Sequence, residues 1–289
     1  MKSGLVLEGG SRQTMFSAGV LDTLMNENIN FDYVAGVSAG AHAAVNFITH
    51  QQGRLRFIVL PTRLQNGKKW ASKYIGIQKE FHALNYLSAD GKMPLDFDAY
   101  RDSETECEIG LTCCETGRAE FKSEKNDKKR LLDLISASCA LPMIFPMATL
   151  DGKHYADGCI TVPIPFDRAF EKGCDKVVAI STHYPGEAVT DFRKYRAILN
   201  PMYKRKYPDL FRALMIRLKR YDKMFLQIEK LEKEGRLFLI RPLIDLCDQF
   251  DTNMKKMDES YEHGVEIAKR RLGDLKAFLG IETEMKKFA

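Results

Sequence analysis

A serine set between two glycines at the end of an apolar run constrains the fold of this chain more than any other feature. The run that starts at Tyr33 leads into Gly36-Val37-Ser38-Ala39-Gly40, and small residues follow it. Glycines on both sides of a serine permit a tight strand-to-helix turn that leaves the serine hydroxyl exposed at the carboxyl end of the strand. Because glycine-serine turns are common, the pentapeptide alone fits two interpretations, a nucleophile elbow or an ordinary turn.

The same order of strand, glycine loop and helix occurs once before the elbow. The apolar residues 4–7 end near Gly9-Gly10-Ser11, and Phe16, Val20 and Leu24 then recur at helical spacing. Two such units within residues 1–50 predict βαβ construction and a mainly parallel sheet.

The amides of the first glycine loop point to the binding of an anion. They lie at the start of a helix, where unpaired N–H donors and the helix dipole favour negative charge. The loop could hold a phosphate, or it could be an oxyanion hole for acyl transfer. It lacks both the spacing of a dinucleotide fingerprint and the Gly-Lys-Ser/Thr of a P-loop. With a candidate nucleophile on the next strand, the oxyanion hole is the favoured interpretation.

Length and composition narrow the class of protein. With 289 residues and 45% hydrophobic content the chain can bury a large core, and we expect a single domain over residues 1–289. The net charge of +5 is mild and no nucleic-acid motif is present, so no nucleic-acid partner is expected. The apolar runs are too short for a signal peptide or a membrane span. These features predict a soluble protein of the cytoplasm.

The cysteines and potential metal ligands form no recognisable pattern. Seven cysteines include the neighbours Cys113 and Cys114 but no C-x-x-C spacing, which argues against a zinc site and against a disulfide framework. Free thiols are typical of a reducing compartment. The histidines and carboxylates also lack ligand spacing. We therefore expect neither a metal nor a cofactor.

Two basic stretches suggest an anionic partner. From about residue 53 to about residue 100, cations are interleaved with aromatic residues such as Trp70, which fits either a lid that meets anionic headgroups or a solvated insertion. Between Tyr203 and Leu231, apolar residues recur every three or four positions and predict a long amphipathic helix. Its other face carries many cations, including Arg217, and is either solvated or attracted to an anionic membrane surface.

A second candidate carboxylate follows a later strand. Alternating or buried apolar runs predict strands at 106–113, 119–121, 153–156, 176–181 and 237–240. Helices are predicted from Asp127 to Pro142, near 167–172, and in two segments from about residue 252 and about residue 273. The strand at 153–156 delivers Asp157-Gly158, which is either a functional pair or a turn.

Four motifs together resemble the patatin-like phospholipase family in order and spacing, most closely its cytoplasmic bacterial branch. They are Gly9-Gly10-Ser11-Arg12, Gly36-Val37-Ser38-Ala39-Gly40, the segment 137–146 and Asp157-Gly158. The resemblance covers about residues 4–182. It implies a three-layer α/β/α sandwich with a mainly parallel central sheet. To this core the sequence patterns add a helical insertion at about 53–100 and a helical C-terminal extension at about 200–289. The resemblance also implies a Ser–Asp dyad, with Ser38 as nucleophile and Asp157 as its partner, and an oxyanion hole from the amides of Gly9, Gly10 and Ser11.

The chain departs from the family pattern in its glycine loop. Ser11 stands at the third glycine, Arg12 lies one position early, and Gln13 occupies the place of the usual basic residue. We therefore expect the site to lack the family's cation, and we expect Ser11 to be restricted where glycine is free. Cys159 also replaces the small residue that usually ends the Asp-Gly motif.

The combined prediction is a serine acyl hydrolase of the lipid or phospholipase type that works through an acyl-enzyme. An aspartate of ordinary pKa, about 4, is a weak base, so the dyad requires burial, a direct hydrogen bond to the serine and strong oxyanion stabilisation. Two alternatives stay open. One is an α/β-hydrolase triad of Ser38, Asp157 and His183. The other is a weakly active or inactive protein of the same fold with a lipid-binding or regulatory role. Hydrolase and transacylase share all of these residues.

Overall fold

The sheet has the buried central strands that the apolar runs predict. A computed structural model describes residues 1–59, 93–245 and 247–281 of the chain. In these residues a mixed sheet is formed by β1 Ser3–Leu7, β2 Tyr33–Val37, β3 Glu106–Cys113, β4 Arg118–Lys122, β5 Ala148–Leu150, β6 Lys153–Asp157, β7 Lys176–Ile180 and β8 Leu237–Ile240.

The strand order brings the candidate site residues to one edge. It runs β5-β6-β3-β2-β1-β7-β8, with β4 paired to β3. Strands β3, β2, β1, β7 and β8 are parallel, and β6 runs antiparallel to β3. In the parallel register Leu7 pairs with Gly36 on one side and with Ile180 on the other. The segments that follow β1, β2 and β7 therefore leave the sheet side by side at its carboxyl edge, where open α/β sheets bind ligands.

Helices cover both faces of the sheet. They are α1 Thr14–Asn26, α2 Ala39–Ile48, α3 Arg54–Val59, α4 Phe97–Asp102, α5 Lys128–Ser138, α6 Phe166–Glu171, α7 Arg196–Leu199, α8 Pro208–Lys233 and α9 Met254–Leu279. Short helical turns lie at Ser11–Gln13, Gly158–Ile160, Phe192–Tyr195 and Asn200–Lys204. Among the described residues a single helix, α9, runs without a break through residue 273, so the expectation of two segments starting near residues 252 and 273 was wrong.

Alternate residues of β1 pack into two different cores, as a strand with period two requires. Leu5 and Leu7 pack with residues of α1, α2 and α9 on one face, whereas Val6 packs with residues of α6 and α8 on the other. This arrangement confirms the predicted α/β/α layering with a mainly parallel sheet.

The segment beyond residue 200 is part of this core. It supplies the edge strand β8, which confirms the strand predicted at 237–240, and helix α9 packs closely on α1. A Cβ atom on Gly19 would lie 2.1 Å from the carbonyl oxygen of Tyr261, and one on Gly264 would lie 2.1 Å from that of Phe16. Both glycines are therefore needed for the close approach of the two backbones.

Two further sequence predictions concern the insertion and the absence of a membrane span, and the described residues cover each of them only in part. The basic and aromatic insertion at 53–100 falls largely on residues 60–92, which lie outside them. Within the parts of the chain that the structure describes, no helix combines the length and the apolar character that a membrane crossing needs.

Candidate active site

Ser38 sits on a strained turn between β2 and α2. Its backbone has φ 53° and ψ −130°, a conformation that costs a non-glycine residue free energy and persists where surrounding structure enforces it. A Cβ atom on Gly36 would lie 2.1 Å from the carbonyl oxygen of Gly40, and one on Gly40 would lie 2.4 Å from that of Leu7. The turn has the geometry of a nucleophile elbow, and both flanking glycines are sterically required.

Asp157 lies at the end of β6 and meets Ser38. The Ser38 hydroxyl donates to Asp157 Oδ2 at 2.8 Å, and the amide of Cys159 donates to Oδ1 at 2.9 Å. Asp157 is 2% exposed, and burial raises the pKa of its carboxyl above the ordinary value. The residues meet because β3 lies between β2 and β6 in the sheet. Gly158 allows the close approach, since a Cβ atom there would lie 2.3 Å from the carbonyl oxygen of Gly110.

Ser138 holds the backbone of the Ser38 turn through hydrogen bonds. Its hydroxyl accepts from the Ser38 amide at 2.7 Å and donates to the carbonyl oxygen of Gly110 at 2.7 Å. The side chain is fully buried. The sequence predicts Ser138 as part of the 137–146 motif but indicates no role for it. The signal that could have found it is its position as the last residue of α5, inside that motif.

The glycine loop packs directly against the elbow. A Cβ atom on Gly9 would lie 2.6 Å from Ser38 Cβ, and one on Gly10, where φ is 138°, would lie 2.6 Å from Thr182 Oγ1. Ser11 adopts φ 52°, the backbone region in which the sequence predicts restriction for a non-glycine residue. Gly10 and Ser11 line the same pocket as Ser38, whereas Gly9 is buried.

The amides of this loop are available to a ligand. In the described part of the chain, neither the Gly10 nor the Ser11 N–H group donates to a protein acceptor. Two unengaged donors beside a serine hydroxyl form a local positive field, which suits a developing oxyanion.

Behind the loop lies a buried carboxylate that sequence reasoning missed. Glu8 accepts from Ser181 Oγ at 2.5 Å, from the amide of Thr182 at 2.9 Å and from the Tyr221 hydroxyl at 3.0 Å, and its Oε1 lies 3.0 Å from His183 Nδ1. Burial alone would raise the pKa of Glu8, but the charge of His183 and these hydrogen bonds hold it below the ordinary value. The network joins the end of β1 to the end of β7 and to α8.

His183 belongs to this network and not to a triad. Burial would lower its pKa, but the neighbouring Glu8 carboxylate raises it above the ordinary value. Both oxygens of Asp157 are occupied by Ser38 and Cys159. Among the described residues no hydrogen bond joins His183 to Asp157, so the alternative triad of Ser38, Asp157 and His183 is not formed in this structure.

The pocket in front of Ser38 is mostly apolar. Its hydrophobic walls come from several segments of the chain: Ala39, Ile58, Val59, Leu141, Phe145, Phe192 and Phe250. Such a surface suits an acyl chain. Cys139 and Cys159 also line it, and burial raises the pKa of both thiols well above the ordinary value, so they are protonated at neutral pH. Burial lowers the pKa of His42, another lining residue, to about 3, which keeps this imidazole neutral.

Two buried arginines are among the residues that line the pocket. Arg12 is 5% exposed and Arg217 is 4% exposed, and both line the pocket with Ser38. The site therefore has cations in its lining, although not at the position where the family pattern places one. Gln13, at the position of the usual basic residue, instead donates to Glu187 at 2.7 Å.

Arg217 also departs from the amphipathic pattern of α8. The spacing assigned it to the polar face, and Arg212 and Lys219 on that face are indeed exposed. Arg217 turns inward because the loops after β6 and β7 offer carbonyl acceptors there, and Arg220, partly buried, donates to the carbonyl of Ile160 at 3.0 Å. Helical periodicity locates the polar face but carries no information about what covers part of it.

Comparison with known families agrees with this geometry. The chain belongs to the patatin-like phospholipase family, because the model described as patatin-like phospholipase matches residues 5–170, more than half of its length. A second model, described as a domain of unknown function (DUF6363), matches residues 207–280. The second match contains α8 with Arg217 and Tyr221, β8 and all of α9.

Individual relatives are distant. The chain is 29% identical over 194 residues to the uncharacterized protein YjjU of Escherichia coli, a match that covers 62% of this chain and 51% of the relative. It thus spans about half the length of that curated relative. Among solved structures, VipD from Legionella pneumophila has a TM-score of 0.49 at 13% identity, with 94% of this chain and 67% of that chain covered. ExoU in its complex with SpcU from Pseudomonas aeruginosa has a TM-score of 0.28 at 11% identity, with 76% of this chain and 52% of that chain covered.

Proposed function

We propose that this chain is a serine hydrolase of lipid acyl esters, of the phospholipase type, with Ser38 as nucleophile and Asp157 as general base. The observation that carries the proposal is the 2.8 Å hydrogen bond from the Ser38 hydroxyl to Asp157 Oδ2 on a strained elbow that opens into an apolar pocket. Membership of the patatin-like phospholipase family supports the choice of substrate class.

In the first half of the reaction the acyl group moves to the enzyme. Ser38 Oγ attacks the ester carbonyl carbon while Asp157 Oδ2 takes the hydroxyl proton. The bond between the carbonyl carbon and the leaving oxygen then breaks, and Asp157 returns the proton to that oxygen, so an alcohol departs and an acyl-enzyme stays. Because burial raises the pKa of Asp157, its carboxylate is a stronger base than an exposed aspartate would be.

The second half repeats these roles with water. Asp157 takes a proton from a water molecule as the water oxygen attacks the acyl carbon, and the bond to Ser38 Oγ breaks. Ser38 regains its proton from Asp157, and a free fatty acid is released. The same base therefore serves both halves of the cycle.

The negative charge on the carbonyl oxygen would be held by the loop amides. We assign this role to the N–H groups of Gly10 and Ser11, with Gly9 holding the loop against Ser38. Loss of one oxyanion donor costs on the order of 2.7 to 4 kcal/mol in other hydrolases. Ser11 adopts a positive φ and lines the pocket, which supports this assignment.

The direct test is the release of fatty acid from phospholipid by the purified protein and by a Ser38→Ala variant. We expect turnover in the wild type and a loss of about 10³- to 10⁶-fold in the variant. Wild-type protein that binds phospholipid but releases no fatty acid would instead favour the non-catalytic alternative, a lipid-binding or regulatory protein.

A surface beside the pocket suits contact with an anionic membrane. It consists of residues 193–219, which follow the pocket residue Phe192 and contain one acid, Asp209. Eight of its cations are exposed: Arg193, Lys194, Arg196, Lys204, Arg205, Lys206, Arg212 and Lys219. Four large apolar side chains are exposed among them: Tyr195 at 42%, Ile198 at 55%, Met202 at 48% and Ile216 at 42%. Apolar side chains within a cationic surface are typical of interfacial binding.

We expect the 193–219 surface to bind vesicles of phosphatidylcholine with phosphatidylglycerol but not vesicles of phosphatidylcholine alone. Arg196 and Lys204 form no ion pair with the described residues, so replacing each with glutamate should weaken sedimentation with the anionic vesicles. A cation near such a surface contributes about 1 kcal/mol, or roughly fivefold in affinity. Lys255→Glu, an exposed change on α9, is the matched control. Equal binding to both vesicle types, or equal effects of all three variants, would contradict this assignment.

A further inference from the structure

We infer that Arg217 determines substrate specificity by binding an anionic group that the acyl ester carries close to its scissile bond. The inference rests on the proposed hydrolase function, and it assigns a role to the segment that matches a domain of unknown function.

The guanidinium of Arg217 is held rigidly in the pocket wall. Nε donates to the carbonyl oxygen of Cys159 at 3.2 Å and Nη1 donates to that of Thr190 at 2.9 Å, and the group lies 5.7 Å from the ring centre of Phe192. Two of its three nitrogens are thereby fixed to neighbouring backbone. Nη2 donates to no oxygen atom in the described part of the chain, so one end of the guanidinium can donate to a ligand.

The positive charge of Arg217 is not matched by a salt bridge. No carboxylate among the described residues lies within 4.0 Å of its guanidinium nitrogens. Carbonyl groups satisfy hydrogen bonds but carry no net charge, and buried cations are normally paired with an anion. The Asp157 carboxylate is near enough for Arg217 to depress its pKa slightly, but both of its oxygens are already bound by Ser38 and Cys159.

The position of Arg217 beside the candidate base indicates that it binds an anionic group on the substrate. Cys159 is two residues beyond Asp157, so the anchor of the guanidinium is part of the turn that carries the candidate base. An anion bound by Nη2 would be separated from the ester carbonyl by a short spacer, as a phosphate is in an acylated glycerol phosphate. Arginine is better suited than lysine to such a group, because its planar fork matches phosphate and carboxylate oxygens.

The test compares two esters that differ only by a phosphate, 1-hexanoylglycerol 3-phosphate and 1-hexanoylglycerol. The short chain keeps both substrates monomeric, so membrane charge does not enter the comparison. We expect Arg217→Gln to lower kcat/KM for the phosphate ester about 10- to 100-fold, mainly through KM, and to change the neutral ester less than about threefold. Arg217→Lys should recover part of the loss, and Lys223→Gln, an exposed change on the same helix outside the 193–219 surface, should have no effect.

A purely structural role for Arg217 would lower kcat/KM for both esters equally, and either that result or no change with the phosphate ester would overturn the inference. A binding measurement tests the role of Arg217 separately from the proposed hydrolase activity. In a Ser38→Ala background, titration calorimetry with 1-hexanoylglycerol 3-phosphate should show about 10- to 100-fold weaker binding after Arg217→Gln. Unchanged binding there would also overturn it, whatever the wild type does as an enzyme.

Discussion

Glu8 and Asp157 are two buried carboxylates close to the glycine loop, and their surroundings drive their pKa values in opposite directions. Each is 2% exposed. Glu8 has three hydrogen-bond donors and a histidine beside it, and its pKa is lowered. Asp157 has two donors, one of which is the Ser38 hydroxyl, and its pKa is raised by burial. Equal burial thus produces a structural anion at one position and a candidate base at the other.

The two carboxylates are therefore suited to different roles. A carboxylate surrounded by donors is stabilised as an ion and has little tendency to take a proton. A carboxylate with few donors and a serine hydroxyl in contact is poised to take one. We therefore expect mutations of the two residues to have different kinds of effect.

The largest effect should come from Asp157→Asn. The amide keeps the size of the side chain but cannot accept the Ser38 proton, so kcat should fall by about 10³-fold or more in assays of fatty acid release. The variant should nevertheless be at least as stable as the wild type at neutral pH, because it removes a buried charge whose ionisation is disfavoured. A variant with near wild-type kcat would show that Asp157 is not the base.

Glu8→Gln should act mainly on stability. It removes the anion from a buried pair and leaves His183 without its partner, a change that typically costs about 3 to 5 kcal/mol in the free energy of unfolding. Urea denaturation measures this cost, and Glu229→Gln, an exposed change on α8, is the matched control. We expect a smaller loss of kcat than in Asp157→Asn, since Glu8 supports the loop and does not contact the pocket. A larger loss of kcat in Glu8→Gln than in Asp157→Asn would reverse the assignment of the two carboxylates.

The dependence of stability on pH should distinguish the two carboxylates as well. The pKa of Asp157 is raised in the folded state, so its contribution is fully present below the ordinary value of 3.8 and is lost as pH rises through the folded pKa. The pKa of Glu8 is lowered, so its contribution is present above 4.5 and is lost as pH falls through the folded pKa. His183, with a raised pKa, contributes fully below 6.5 and loses that contribution at higher pH.

These signs can be checked by measuring the free energy of unfolding across pH for the wild type and both variants. The difference between wild type and Glu8→Gln should shrink as pH falls below 4.5 and as it rises above 6.5. The stability of Asp157→Asn relative to wild type should grow as pH rises above 3.8. If both differences in the free energy of unfolding changed with pH in the same direction, the two carboxylates would not have the opposite pKa shifts described above.

The sequence was informative where a residue type is demanded by backbone geometry. Glycines at 36, 40 and 158 and a serine at a strained turn leave a pattern that can be read without a structure. Ser38 and Asp157, which the motifs single out, lie within hydrogen-bond distance of each other. The parallel sheet followed from the repeated order of strand, loop and helix. Local geometry with strict steric requirements is therefore the part of a site that a sequence records best.

The residues that sequence reasoning missed depend on tertiary contacts. No role was predicted for Glu8 or Ser138, and Arg217 and Tyr221 were predicted only as parts of a long amphipathic helix. The hydrogen bond between Ser38 and Ser138 spans 100 residues, and the one between Glu8 and Tyr221 spans 213. Those of Arg217 with Cys159 and Thr190 span 58 and 27 residues. No local spacing encodes such contacts, so the lining and support of the pocket became visible only in the folded chain.

The central claim is that Asp157 activates Ser38 for nucleophilic attack, and labelling with a fluorophosphonate tests it most directly. The reagent forms a covalent bond with an activated serine, and peptide mass spectrometry locates the adduct. We expect the wild type to be labelled on Ser38 and labelling to be at least about 10²-fold slower in Asp157→Asn. Absence of an adduct on Ser38, or equal labelling rates in the two proteins, would contradict the account.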